Sequence, residues 1–440
     1  MDTEYEVIIV GTGAAGLFAA LSLPRNTKIL MITKEAVKHS DSYLAQGGIS
    51  VLKNDEDYDI YFEDTMRAGR FENCEQSVEV MLQASREIIK ELVSYGVEFD
   101  RDANGEPAYT REGGHTVFRI LHHKDVTGKE ITSKLIHCVL QRNNIHIKEY
   151  TTMIDLIEAD NTCQGIVVEE NDGTRQCIYA KATILATGGI GGLFENSTNF
   201  RHISGDSFAI ALGHHVELED IDYIQIHPTT LYSKKEGRRF LISESVRGEG
   251  AVLLNEEGNR FVDELLPRDI VTDAIKKEMD KYHMPYVYLS MMHMSKKEIE
   301  QRFPNIYQRC LEEGYDLSKE PIPVTPAQHY LMGGIHTDTQ GQTSMKHLYA
   351  VGETACNGVH GRNRLASNSL LESLVFSKRG AESIAKEIKN VNIAKIVVDT
   401  DSYPNQKMRK ENSRRLIMEE IQRRDGEFYA KWCDSENQHR

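Results

Sequence analysis

Four apolar residues, Val7-Ile8-Ile9-Val10, run directly into Gly11-Thr12-Gly13-Ala14-Ala15-Gly16. Few local patterns restrict a chain more. The apolar run is short and unbroken, as in a strand buried on both faces of a parallel sheet. The glycine spacing suits a tight turn, a close backbone approach to a pyrophosphate, and a helix packed hard against the strand. Leu17 to Leu23 then reads as a helix and Lys28 to Thr33 as a second strand. This order predicts a Rossmann-like dinucleotide site with the pyrophosphate at the helix N-terminus. The second strand ends in Thr33-Lys34, where an acidic residue commonly holds the ribose. That disfavours a plain nicotinamide dehydrogenase. It leaves Lys34 either as a phosphate or adenine contact or as an exposed turn residue.

Further along, Glu75 to Tyr95 and Glu130 to Arg142 carry apolar residues at helical spacing, and Gly96 closes the first of them. Between residues 145 and 179 four short alternating strands follow, with Asp172-Gly173 as a hairpin turn. A separate buried strand, Ala182 to Ala186, ends in Thr187-Gly188-Gly189 and repeats the opening geometry. Residues 239–331 lack parallel-sheet runs, so they read as an inserted α+β unit between 1–238 and 332–390. A short, charged helical tail poor in core residues (391–440) completes the chain. The fold class expected is therefore α/β. Near the end, Leu348 to Glu353 leads into His360-Gly361-Arg362-Asn363-Arg364-Leu365-Ala366-Ser367-Asn368-Ser369-Leu370. A strand, a polar crossing and a helix start form an anion site, and two arginines suit a carboxylate or phosphate.

Composition excludes several classes. A net charge of −15 with no basic run argues against a nucleic-acid partner. It also requires a local Arg/His cluster if the ligand is a dicarboxylate. Seven scattered cysteines without a C-x-x-C pair fit neither a disulfide framework nor a metal site, and suit a cytoplasmic location. No apolar run is long enough for a membrane span, and the acidic start is unlike a signal peptide.

Taken together, the N-terminal fingerprint, Ala45 to Gly48, Ala186 to Gly189, Gly205-Asp206, His227-Pro228-Thr229, Pro267-Arg268-Asp269, Leu348 to Glu353 and Asn363 to Ser369 resemble the flavoprotein subunits of succinate dehydrogenase and fumarate reductase. Within that family, Arg111-Glu112-Gly113-Gly114-His115 and His360-Gly361 are most similar to the L-aspartate oxidases. The resemblance spans roughly residues 5 to 390.

The resemblance implies a Rossmann-like FAD domain with a capping domain, and hydride transfer from the substrate Cα to flavin N5, giving iminoaspartate. Reoxidation by oxygen or fumarate, a first step in NAD biosynthesis, and functional coupling to quinolinate synthase are implied by the resemblance alone. So are the residue roles. Gly11, Thr12, Gly13, Ala14, Ala15, Gly16 and Lys34 belong to the FAD site. Asp41, Ser42, Gln46, Gly47, Gly48, Ala186, Gly188, Ser369 and Leu370 join them, with Asp206 and Glu353 holding FAD hydroxyls. His227, His329 and Arg364 bind the substrate carboxylates, with Ser243 and Glu244 close by. Glu112 pairs with the ammonium, and Arg268 is electrostatic anchor and acid. Asp41 stands where covalently flavinylated relatives carry a histidine, so the FAD is expected to be noncovalent. One alternative is a soluble fumarate reductase or succinate dehydrogenase flavoprotein, which favours a neutral residue near Glu112. A lesser alternative is a non-enzymatic FAD-binding protein, which predicts loss of one of His227, Arg268, His329 and Arg364. All four are present.

Overall fold

The computed structural model describes residues 4–434. Glu4–Val10 lies in a seven-stranded sheet, parallel to Ile29–Ile32 on one side and to Arg175–Leu185 on the other. Ile145–Lys148 continues the first edge in parallel. Val7 and Ile9 enter one apolar core, whereas Ile8 and Val10 enter a second. This is the alternation of a strand covered on both faces. The first core is shared with the helices Ala14–Ser22, Glu75–Ser94, Thr127–Leu140 and Asn368–Glu387. The second takes in the helix Asp206–Gly213.

Arg175–Leu185 departs from the sequence reading, which separates residues 175–179 from a buried strand at 182–186. It is one continuous strand. Its first half pairs antiparallel with Thr162–Glu170, and its second half runs parallel to Glu4–Val10 and Leu348–Ala350. The polarity change along it reflects a change of partners rather than a break.

A second, antiparallel sheet contains Phe240–Leu241, Ile224–Leu231, Ile322–Leu331, Val287–Ser290 and Val252–Leu254, in that spatial order. The helices Arg268–Tyr282, Lys296–Arg302 and Pro304–Glu312 close a third core over it. The sequence reading opens this unit at residue 239. The register draws in Ile224–Leu231, because that strand pairs along most of its length with Ile322–Leu331. These two strands carry Gln225, His227, His329 and Tyr330.

The C-terminal tail also differs from expectation. Its helix Gln406–Arg424 buries Ile417, Met418 and Ile421 in the second core, while Arg414 Nη1 donates to the Leu193 carbonyl at 2.6 Å. Its charges mask a narrow apolar stripe, which is why composition alone reads it as poor in core residues.

The opening turn depends on a missing side chain. Gly11 has φ +116°, and a Cβ there would lie 2.0 Å from the Ala186 carbonyl oxygen. Gly11→Ala is therefore expected to strain the backbone by roughly 1–3 kcal/mol before any clash is counted. The purified variant should show a lower Tm and a reduced flavin-to-protein ratio. Wild-type values for both would contradict this packing.

Candidate active site

The glycine turn, the 41–48 segment, the Ala186 turn and the start of the helix Asn368–Glu387 converge on one elongated cavity, whose other wall comes from the second sheet. Nearly all residues singled out from the sequence line it. Ala14 and Gly16 do not. Ala14 N–H donates to Ser42 Oγ at 3.1 Å, and Gly16 faces the Gly11 carbonyl within the turn.

At the dinucleotide end, Gly13 begins the helix Ala14–Ser22 in extended backbone with no side-chain cap and no acidic residue in the first turn. An uncapped helix start under a glycine turn suits a pyrophosphate. Lys34 donates to the His202 carbonyl at 3.0 Å and pairs with Asp206 at 2.6 Å. It is therefore neither a free turn residue nor an unengaged phosphate donor. Burial pushes the Asp206 carboxyl upward, but Lys34 and Ser204 hold it below the usual range. Asp41 Oδ1 accepts from the Phe200 amide at 2.8 Å, whereas Asp41 Oδ2 and Gln46 Oε1 are buried without partners. Unpaired buried polar atoms beside a glycine cradle fit a polar, flat ligand such as FAD.

Two carboxyls in this cavity titrate high. Burial raises Asp41 to about 7. Burial and then the Asp41 charge raise Glu353 to about 8, and its Oε1 accepts from the Leu331 amide at 2.9 Å. Both folded values exceed the ordinary carboxylate range near 4. The folded state thus holds extra protons, and the associated stability is lost as pH rises through 7 to 8. The buried histidines shift downward, so their contribution is present above about 6.5 and lost at lower pH. Between about pH 6.5 and 8.5 these two carboxyls act in the same direction as Glu372, which burial raises to about 7, and His214, which the Asp155 carboxylate raises. Protein stripped of FAD should show a Tm that falls across this window, and Glu353→Gln should flatten the fall. An unchanged slope would remove Glu353 as its source.

At the other end lies a cradle of charge. Arg268 Nε donates to Glu244 Oε2, and its Nη1 donates to Gln225 Oε1 at 2.6 Å. Arg364 Nε reaches the same Gln225 Oε1 at 3.3 Å, Nη1 donates to Ser369 Oγ at 2.5 Å, and the guanidinium sits 4.4 Å from the Tyr330 ring centroid. Burial and the nearby Arg268 lower Arg364 to about 10. Arg247, fully buried, pairs with Glu244 Oε1 at 3.3 Å. Burial would raise Glu244, yet the Arg268 and Arg247 charges keep it below its usual value.

His227 and His329 stand with ring centroids 5.1 Å apart. Burial, then neighbouring guanidiniums, push both well below their ordinary pKa: Arg268 comes first for His227 and Arg364 for His329. The Thr229 amide donates to His227 Nδ1 at 3.1 Å. The neutral ring therefore carries its proton on Nε2, a buried donor with no partner. Glu112 accepts from Ser245 Oγ and Ser367 Oγ, both at 2.5 Å, and its Oε1 lies beside Gly47. Ser243, which caps the helix Glu244–Gly248, donates through Oγ to Ser245 at 3.1 Å.

Several of these residues escape the sequence reading. Gln225 joins both arginines and donates to Asn363 Oδ1 and the Arg364 carbonyl at 2.8 and 2.9 Å. It lies two residues before His227 on one strand, a spacing that places both on one side, but a segment begun at Ile226 leaves it out. Ser245, Ser367 and Arg247 carry no spacing signal. Only the fold brings them to Glu112 and Glu244.

This fold and this cavity define an FAD-dependent oxidoreductase. The sequence matches the FAD binding domain family over residues 6–370. It is 51% identical over 429 residues to the L-aspartate oxidase of Clostridium perfringens, covering 97% of each chain. It is 40% identical over 395 residues to that of Neisseria meningitidis, covering 88% of this chain and 78% of the relative. Among solved structures it matches a quinol fumarate reductase chain from E. coli with a TM-score of 0.83 at 30% identity, covering 96% of this chain and 74% of that one. A flavocytochrome c3 fumarate reductase in an open conformation matches at 0.69 and 25% identity, covering 88% of this chain and 78% of that chain. The chain belongs to the L-aspartate oxidase family.

Proposed function

We propose that this protein oxidises L-aspartate to iminoaspartate in the cradle between the two sheets. The observation that carries the reading is its charge. Arg268 and Arg364 line this end of the cavity with Glu112 and Glu244, and Arg247 is buried behind Glu244 at 3.3 Å, which makes three positive charges against two negative ones, with both histidines neutral. The resulting balance of one positive charge suits L-aspartate, which carries two carboxylates and one ammonium. Succinate, with two carboxylates alone, would leave a negative excess.

Arg364 and the Nε2 proton of His227 are placed to hold the carboxylates, with His329 beside them and its Nδ1 fixed by Thr198 Oγ1 at 2.7 Å. Gln225 and Glu244 fix the Arg268 guanidinium, which stays protonated, makes a poor base and serves as electrostatic anchor and acid. Glu112 receives the ammonium and draws off its proton as the imine forms. Bound FAD, held without a covalent link, supplies the two-electron acceptor. Two-point anchoring of the carboxylates orients Cα for the transfer.

Iminoaspartate hydrolyses in water, which supports prompt use by a downstream enzyme such as quinolinate synthase in NAD biosynthesis. Oxygen or fumarate serves as oxidant of the reduced enzyme; fumarate meets the same carboxylate anchors but gives Glu112 no ammonium partner. Among the described residues no helix is long and apolar enough to cross a membrane, and all seven cysteines are free, which supports a reducing, cytoplasmic setting.

The test is product analysis. Holoenzyme given L-aspartate should release ammonia and oxaloacetate in equal amounts, as hydrolysis of the imine requires. Fumarate formed from succinate, with no ammonia from L-aspartate, would instead establish a succinate dehydrogenase.

A further inference from the structure

Behind Glu112 lies a buried group that the proposed chemistry does not touch. Arg119, fully buried, donates to Asp57 at 3.2 Å through Nε and at 2.8 Å through Nη2. Its Nη1 donates to Asp64 Oδ2 at 2.7 Å, and its guanidinium lies 4.6 Å from the Tyr61 ring centroid. The same Nη1 reaches His115 Nδ1 at 2.9 Å. Arginine only donates, so His115 Nδ1 accepts and the ring proton sits on Nε2. That Nε2 donates to the Ala366 carbonyl at 2.8 Å. Burial and the Arg119 charge lower the His115 pKa to about 4, in keeping with a neutral bridge.

Both ends of the bridge lead to Glu112. On the loop side, the His115 amide donates to the Glu112 carbonyl at 3.2 Å, and Thr116 is held by Asp64. On the far side, Ala366 precedes Ser367, whose backbone is left-handed at φ 61°. Serine pays an energetic penalty there unless its neighbours impose the shape. That shape aims Ser367 Oγ at Glu112 Oε2 while it accepts from the Gly48 amide at 3.2 Å.

We infer that His115 is a positioning residue that sets substrate selection, by tying the Glu112 loop to the Ala366–Ser367 corner and so fixing the carboxylate that meets an α-ammonium group. The inference rests on the reading of Glu112 given above. It concerns one discrimination: an α-amino dicarboxylate against the same dicarboxylate without nitrogen.

The test uses FAD-loaded enzyme and compares KM for L-aspartate with the inhibition constant for succinate. His115→Ala should raise the former about tenfold or more, in line with the cost of a small misplacement, while the latter stays within about twofold and flavin content is unchanged. Glutamine can accept from Arg119 and donate to Ala366, so His115→Gln should recover most of the selectivity. The shorter His115→Asn spans only one of the two partners and should not. If His115→Ala does not accumulate folded, the contrast between His115→Gln and His115→Asn decides the matter alone. An equal loss for both ligands, or equal behaviour of the amide variants, would reduce His115 to core packing. Glu112→Gln is measured in parallel. If it leaves the aspartate-to-succinate ratio unchanged, the reading of Glu112 itself fails; if it shifts the ratio while His115→Ala does not, only the positioning role fails.

Discussion

Arg268→Met is expected to keep its FAD and lose L-aspartate turnover by about 10³-fold or more. The guanidinium is buried and bridges Glu244 and Gln225. Removing it leaves Glu244 with Arg247 alone and frees the Gln225 carbonyl that also holds Arg364. Loss of one fixed donor in a water-excluded site costs roughly 10²–10³ in kcat, and breaking a buried ion pair adds about 3–5 kcal/mol to stability loss. Arg268→Lys retains the charge but not the fork that reaches two acceptors. It should fall between, near a 10²-fold loss. Flavin absorbance of the purified variants separates loss of chemistry from loss of cofactor, since Arg268 touches none of the residues around the glycine turn. Turnover within a few-fold of wild type in Arg268→Met would remove this residue from the reaction.

Glu112→Gln should move two ligands in opposite directions. The amide is nearly isosteric, and its oxygen can still accept from Ser245 or Ser367, so the fold should hold. The ammonium of L-aspartate loses a charged acceptor, a change of about 1.5–3 kcal/mol, which corresponds to a KM raised roughly 10- to 100-fold. Succinate, by contrast, meets a cradle with one more net positive charge and should bind more tightly. A purely steric role for Glu112 would weaken both. Parallel titrations with the two ligands tell these apart.

The FAD half of the molecule is far more legible in the sequence than the cradle. Gly11, Gly13 and the strand before them form a local pattern whose geometry is dictated within ten residues, and Gly47-Gly48 is similarly local. The cradle is built from distant segments. Gln225, Ser245 and Ser367 acquire meaning only when the strand Ile224–Leu231, the helix Glu244–Gly248 and the corner before Asn368 are folded against one another. Resemblance reaches Glu112 and Arg268, but it does not show what holds them.

The two departures in the fold have the same origin. Arg175–Leu185 changes partners midway, and the boundary near residue 239 moves because Ile224–Leu231 pairs with a strand nearly a hundred positions later. Pairing at that range leaves no periodic mark. The tail follows this pattern too, since three buried residues on a charged helix are too few to register in composition.

The central claim is that the cradle reads an α-ammonium beside two carboxylates and passes electrons to FAD. Anaerobic mixing of the purified holoenzyme with L-aspartate, D-aspartate and succinate in turn, followed by flavin absorbance, tests it most directly. Rapid bleaching by L-aspartate alone is the result predicted. Bleaching by succinate but not by L-aspartate would contradict the claim and assign the site to succinate, and a flavin that none of the three reduces would contradict it outright.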